Sequence, residues 1–154
     1  KLWQSQQAMR LQQLFMRLSW VASDGTITVR KPNDYVSSMI ELAGGTYSLN
    51  GYVPEEENAL STLKMQMEDF YAAEKDADIL IYNGTIEGEL TSIDELVQKN
   101  SLFADFKAVK TGQVYTTGSN FYQQTSGTCD FIEDLNKVLN GETDAEYRFL
   151  KKIN

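Results

Sequence analysis

Two spacings of apolar residues alternate along the chain, one near 3.6 and one of two. Residues 1–13 are glutamine-rich with Trp3, Leu11 and Leu14 at helical intervals, which predicts a helix. From Arg17 the pattern changes to Leu18, Trp20 and Ala22 in alternation, a strand. Ser23-Asp24-Gly25 reads as a tight turn and Thr26-Ile27-Thr28-Val29 as the returning strand. Lys31-Pro32-Asn33-Asp34 opens a helix, with Asn33 or Asp34 as cap and Tyr35, Met39, Ile40 and Leu42-Ala43 as its apolar face. Gly44-Gly45 stops it, because glycine enters the left-handed conformation without strain. Residues 46–60, with Tyr47, Gly51, Pro54 and Glu55-Glu56-Glu57, read as a polar connection.

A second helix is expected from Ser61 or Thr62 through Met65, Met67, Phe70, Tyr71 and Ala73. Asp78-Ile79-Leu80-Ile81-Tyr82, bounded by Asn83-Gly84, has the continuous apolar run of a buried parallel strand. A short helix over 92–97 and a one-turn helix around Leu102, Phe103 and Phe106 follow. Val114-Tyr115-Thr116-Thr117 is a strand after the Thr111-Gly112 turn, and 129–139 is an amphipathic helix. There is no internal repeat and no linker. The alternation predicts a Rossmann-like three-layer α/β domain, its sheet mostly parallel with helices on both faces. Ligands of such folds sit outside the carboxyl ends of the strands, which directs attention to 23–25, 83–85 and 118–124.

Composition narrows the chemistry. The 154 residues suit one domain, and their 42% hydrophobic fraction supplies a core. A net charge of −8 repels phosphate backbones and anionic lipid surfaces, so no nucleic-acid partner is expected. The absence of histidine removes the commonest general base and metal ligand, and the single cysteine, Cys129, removes disulfides and cysteine-based metal sites. No window approaches 18 consecutive apolar residues. The start at Lys1-Leu2-Trp3-Gln4 reads as a fragment or processed product, any targeting segment lying upstream.

No set of catalytic residues emerges, no cofactor is expected, and the chain is read as a non-enzyme. Gly44-Gly45 ends a helix where a phosphate loop would open one. Ser119 and Ser126 have no histidine to activate them. The pairs Glu68-Asp69, Asp94-Glu95 and Glu133-Asp134 lie on helices, where adjacent side chains diverge by about 100°. Aromatic and amide side chains are the more informative set. Tyr82-Asn83 and Phe121-Tyr122-Gln123-Gln124 follow strands, and uncharged aromatics with amides suit a large, partly apolar small molecule. The plainer reading makes Tyr82, Phe121 and Tyr122 core residues at strand ends.

The stretch Tyr35-Val36-Ser37-Ser38-Met39-Ile40-Glu41-Leu42-Ala43-Gly44-Gly45 resembles the helix ending L-A-G-G of type III periplasmic binding proteins. These are the solute-binding components of ABC importers for ferric siderophores, haem and vitamin B12. Met67-Glu68-Asp69-Phe70-Tyr71 followed by Asp76-Ala77-Asp78-Ile79-Leu80-Ile81 resembles a helix–strand unit of the family, with Ala77 where members often have proline. Ala108-Val109-Lys110-Thr111-Gly112-Gln113-Val114-Tyr115 resembles its A-V-K-x-G-x-V-Y segment, the most specific match.

The resemblance implies that 17–154 form the C-terminal lobe of a two-lobed protein and that 1–16 are a helix from the inter-lobe segment. It implies ligand contacts at Tyr52, Tyr82, Asn83, Phe121, Tyr122 and Gln123, with Asn33 and Tyr35 as weaker candidates. Glu68 matches the exposed glutamate that docks onto permease arginines, a bond a carboxylate makes in bidentate fashion, and Glu74 is the runner-up. The implied ligand is a siderophore–iron or haem complex or a corrinoid such as cobalamin. The implied partners are the N-terminal lobe and the permease subunits. The implied location is extracytoplasmic, periplasmic or anchored as a lipoprotein. Only Arg30 and Lys31 are basic near these positions, which favours a neutral chelate stacked on aromatics. The alternative is an α/β ligand-sensing or interaction domain without a role in transport.

Overall fold

The computed structural model describes the backbone of residues 13–21 and the whole of 24–32, 34–47, 49, 62–85, 87–118, 127–142 and 145–154. In chain order the elements are β1 (Gln13–Val21), β2 (Thr26–Arg30), α1 (Tyr35–Leu42), β3 (Thr46–Tyr47), β4 (Thr62–Gln66), α2 (Met67–Glu74) and β5 (Ile79–Tyr82). After these come α3 (Ile93–Lys99), a 3-10 helix (Ser101–Asp105), α4 (Lys107–Lys110), β6 (Val114–Thr117), α5 (Thr128–Leu139) and β7 (Leu150–Lys152).

The strands form one sheet in the order β4-β2-β1-β5-β6-β7, with β3 also on β1. The central pairings β1–β5 and β5–β6 are parallel, as is β1–β3, whereas β1–β2, β2–β4 and β6–β7 are antiparallel. The mostly parallel sheet expected from the alternation of elements is therefore corrected to a mixed one, a parallel centre with antiparallel flanks. The cause is local: the Asp24-Gly25 turn folds β2 straight back on β1. Gly25 there has φ +83°, and Asp24 Oδ1 accepts from the Thr26 N–H at 3.0 Å and the Thr26 hydroxyl at 2.7 Å.

Three further expectations meet the structure. The expected helix over 1–16 gives way at Gln13, where β1 begins; residues 1–12 lie outside those described. The helix expected from Ser61 or Thr62 starts only at Met67, because Leu63, Met65 and Met67 are buried while Lys64 and Gln66 are exposed, a strand's alternation. The polar connection contains the two-residue strand β3, and β7 had no signal beyond three residues next to the chain end. The strands at 79–82 and 114–117 and the helices at 35–42, 93–99 and 128–139 lie where periodicity puts them.

All four residues of β5 and of β6 are buried, and successive strand residues point to opposite faces, so this part of the sheet is covered on both sides. One cover pairs α1 with α5, tied by Asn136 Nδ2 donating to Ala43 O at 3.0 Å. The other joins α2 to the 3-10 helix and α4 through Phe70, Phe103 and Phe106, whose ring centroids lie 5.3–6.5 Å apart. Asp34 caps α1, accepting from Val36 and Ser37 N–H at 2.9 and 3.0 Å, and Gly44 closes it at φ +97°.

Candidate functional site

β1, β5 and β6 point the same way, and β4, antiparallel to β2, shares that direction. Their carboxyl ends define one edge of the domain, where loops rather than side chains of the ladder face a ligand. The β1 connection turns back to β2 on one side, whereas that of β5 crosses to β6 on the other. The ends of β1 and β5 therefore flank the point where the connections diverge, the position at which crevices form in open α/β sheets.

Tyr82 ends β5 in register with Arg17 and Thr116. Its side chain is fully buried, the hydroxyl donating to Glu87 Oε2 at 3.4 Å, and Lys99 Nζ stands 5.7 Å from the ring centroid. Burial pushes the phenol's pKa up, against the opposing charge of Lys99. Lys99 Nζ is also 2.9 Å from Glu87 Oε2. Burial pulls the ammonium's pKa down, but the hydrogen bond to Glu87 and the neighbouring charges outweigh it and the net shift is upward.

Asn83 is buried, and its Oδ1 accepts from the Thr85 N–H at 3.1 Å and the Thr85 hydroxyl at 2.7 Å, an Asx turn that starts the segment leaving β5. Thr116 and Thr117, fully buried at the end of β6, engage the same segment. Thr117 Oγ1 accepts from Gly84 N–H at 3.0 Å, and Thr116 Oγ1 from Leu90 N–H at 3.4 Å. Sequence reasoning missed this pair of threonines, although two hydroxyls closing an apolar strand beside Gly118 are a legible sign of a strand end that binds a neighbouring backbone.

Glu68 lies exposed in the first turn of α2, directly after β4, and so on the same edge. There the helix N-terminus favours a carboxylate. Glu74 is fully buried at the other end of α2, so it lacks the exposure a docking residue needs. Tyr35 is half exposed beside Arg30, whose Nη2 donates to its hydroxyl at 2.9 Å. Because β2 runs against β1, Arg30 ends β2 one residue past the level of Arg17, Tyr82 and Thr116, and it lies two strands from Asn83 and three from Thr117. Tyr52, Phe121, Tyr122, Gln123 and Asn33 lie outside the described residues. Among the described residues there is no group of three or more His, Cys, Asp or Glu able to hold a metal ion, and no helix is long and apolar enough to cross a membrane.

This combination, a mixed sheet with a parallel centre and covering helices on both faces, is the α/β fold found in periplasmic binding proteins. A TroA-like periplasmic binding protein, FepB, from Veillonella parvula superposes with a TM-score of 0.64 at 14% identity, over 91% of this chain and 48% of that one. The siderophore periplasmic binding protein from the fuscachelin gene cluster of Thermobifida fusca gives 0.60 at 20% identity, over 89% and 48%. An ABC transporter substrate-binding protein from Listeria monocytogenes gives 0.54 at 19%, over 82% and 45%. The chain thus spans about half the length of these structures. No family model matches the sequence, and no curated protein matches it significantly.

Proposed function

We propose that the chain is the C-terminal lobe of the solute-binding component of an ABC importer. It captures an iron complex (siderophore or haem) or a corrinoid-like ligand between two lobes outside the cytoplasmic membrane and delivers it to a membrane permease. The observation that carries this reading is the coverage: nearly all of this chain superposes on about half of proteins described as substrate-binding or siderophore-binding. A half molecule presents half a binding surface, and the carboxyl-end edge is the place for it. Glu68, exposed on that edge, is suited to bidentate pairing with permease arginines. Tyr52, Phe121, Tyr122 and Gln123, on segments following β3 and β6, supply aromatic and amide contacts to the ligand. Tyr82 and Asn83 support the floor beneath them.

The charge of the edge narrows the ligand. The segments 22–25, 83–92 and 118–127, which follow β1, β5 and β6, contain Asp24, Glu87 and Glu89 but no lysine or arginine, and the one cation beside them among the described residues, Lys99, is paired with Glu87. A neutral or cationic complex is favoured over a polyanionic one. The test is a thermal-shift screen of the full-length polypeptide, less any targeting segment, against haem, corrinoids and ferric siderophores. A ligand at 100 times its Kd stabilises by about 2.7 kcal/mol. A hit whose affinity drops in Tyr122→Ala establishes both class and contact. Silence across the panel transfers the reading to a sensing or interaction domain.

A further inference from the structure

The segment leaving β5 is fastened to the end of β6 at two places. Gly84 N–H donates to Thr117 Oγ1 at 3.0 Å, and the Thr117 hydroxyl reaches Asn83 Oδ1 at 3.5 Å. Six residues on, Leu90 N–H donates to Thr116 Oγ1 at 3.4 Å, whose own hydroxyl donates to Thr117 O at 3.3 Å. Neighbouring residues of a strand project to opposite faces, so the two threonines hold this segment from both sides of the sheet. The approach is close: a Cβ on Gly84 would overlap Thr117 O and crowd the backbone of Gly88 and Glu89. Thr116 and Thr117 are fully buried, and Gly84 is buried with them.

We infer that Thr117 is a positioning residue of the solute site, its hydroxyl fixing the segment that starts at Asn83 against the end of β6. This rests on the solute-binding reading above and deepens it. Replacing the hydroxyl by a methyl of the same shape keeps the packing but strips Gly84 N–H of a buried acceptor, and the segment must shift to regain one. Gly84 acts from the other side, since any side chain there pushes the two strand ends apart. Asn83, whose Oδ1 serves Thr85 and Thr117, works as a strut in the same joint and not as a ligand donor.

The experiment compares Thr117→Val, Thr117→Ser, Gly84→Ala and Thr28→Val, the last a buried threonine in β2, three strands away from β6 in the sheet. Full-length protein is titrated with haemin, cyanocobalamin, a ferric tris-hydroxamate and a ferric tris-catecholate, and amide exchange is followed at Gly84 and Thr85. With whichever probe binds the wild type, Thr117→Val weakens affinity about tenfold, equivalent to about 1.4 kcal/mol. Thr117→Ser stays within about twofold of the wild type, and Thr28→Val does not change it, whatever each does to the melting temperature. Gly84 exchange accelerates in Thr117→Val and is restored in Thr117→Ser. Equal affinity in the valine and wild-type proteins overturns the inference, as does a serine variant as weak as valine. If no probe binds the wild type, the solute reading fails separately, and unaltered Gly84 exchange in Thr117→Val then overturns the positioning role on its own.

Discussion

Replacing Asp134 by alanine should be among the most damaging single changes to this fold. Asp134 lies in the middle of α5 and is 1% exposed. Its carboxylate accepts from three consecutive backbone N–H groups: Arg148 at 3.1 and 2.9 Å, Phe149 at 2.7 Å and Leu150 at 3.2 Å. These residues lead the chain into β7, where Leu150 pairs with Thr117 at the end of β6. In Asp134→Ala, the N–H groups of Phe149 and Leu150 stay buried with no acceptor, at about 1–3 kcal/mol each. Arg148 is exposed, so water replaces its partner at little cost. The expected loss is about 3–4 kcal/mol, a large part of the roughly 5–15 kcal/mol that holds a domain folded. With a urea m-value of about 2 kcal/mol/M, the midpoint falls by about 1.5–2 M. Asp134→Asn retains one oxygen able to serve Phe149 and Leu150 and should lose about half as much. Urea melts followed by circular dichroism supply the magnitude, and amide exchange at 149 and 150 supplies the location. A midpoint change in Asp134→Ala below about 0.3 M, with those two amides still protected, refutes the reasoning.

The aromatic cluster offers a second test of packing: Phe106→Ala removes a fully buried ring shared by Phe70, Phe103 and Tyr71 and should cost about 3–5 kcal/mol in the same urea assay. Glu68→Lys should leave ligand affinity and melting temperature unchanged while abolishing ligand-stimulated ATP hydrolysis by the reconstituted importer; retained stimulation removes Glu68 from the docking surface. In acid, Asp24 and Glu95 set part of the response. The Thr26 hydroxyl and then its N–H hold Asp24 below its ordinary 3.8, and the Thr91 hydroxyl and then its N–H hold Glu95 below its ordinary 4.5. With folded-state pKa values depressed, both carboxylates stabilise the fold above the ordinary values, and that contribution fades as pH falls through the lower, folded ones. Asp24→Asn and Glu95→Gln should therefore flatten stability between about pH 5 and 2, as read from thermal melts across pH. Among probes, a cationic or neutral ferric hydroxamate should bind the full-length protein more tightly than a trianionic ferric catecholate; the reverse order in a fluorescence titration contradicts the charge argument.

Where a short stretch carries its own instructions, the sequence displayed the fold. Ile79-Leu80-Ile81-Tyr82 is apolar at every position because both faces of β5 are covered, and Asp34 announces α1 because it caps two of its N–H groups. Misreadings occurred where two periods overlap. Leu63, Met65, Met67 and Phe70 satisfy a strand over 62–66 and a helix from 67 in turn, so helical spacing alone runs backward across the boundary. The direction of β2 was legible in its turn, but the sheet was still expected to be mostly parallel, because alternation of helices and strands says nothing about flanks. β7 became a strand through distant partners, Asp134 and β6, that no local pattern reveals. At the site, Asn83 stood out by its place after a strand, whereas Thr116 and Thr117 looked like ordinary β-formers until the Gly84 backbone was seen against them.

The antiparallel course of β2 bears on ligand choice as well as on topology. Were β2 parallel to β1, its end at Arg30-Lys31 would meet the carboxyl ends of β1 and β5, and two cations would stand at that edge. Folded back by the Asp24-Gly25 turn, β2 instead carries Arg30 just past the level of Arg17 and Tyr82, where it pairs with Asp34 at 3.3 Å and stands over the Tyr35 ring at 5.1 Å. What the turn itself leaves at the carboxyl-end edge is an aspartate. β4, entering antiparallel beside β2, then delivers the acidic first turn of α2, Glu68 and Asp69, to the same edge. The hairpin thus gives this edge Asp24, Glu68 and Asp69 while Arg30 runs back from the turn. On the solute-binding reading proposed above, such an edge suits a ligand held by aromatic and amide contacts, and Glu68 suits a permease surface that presents arginines.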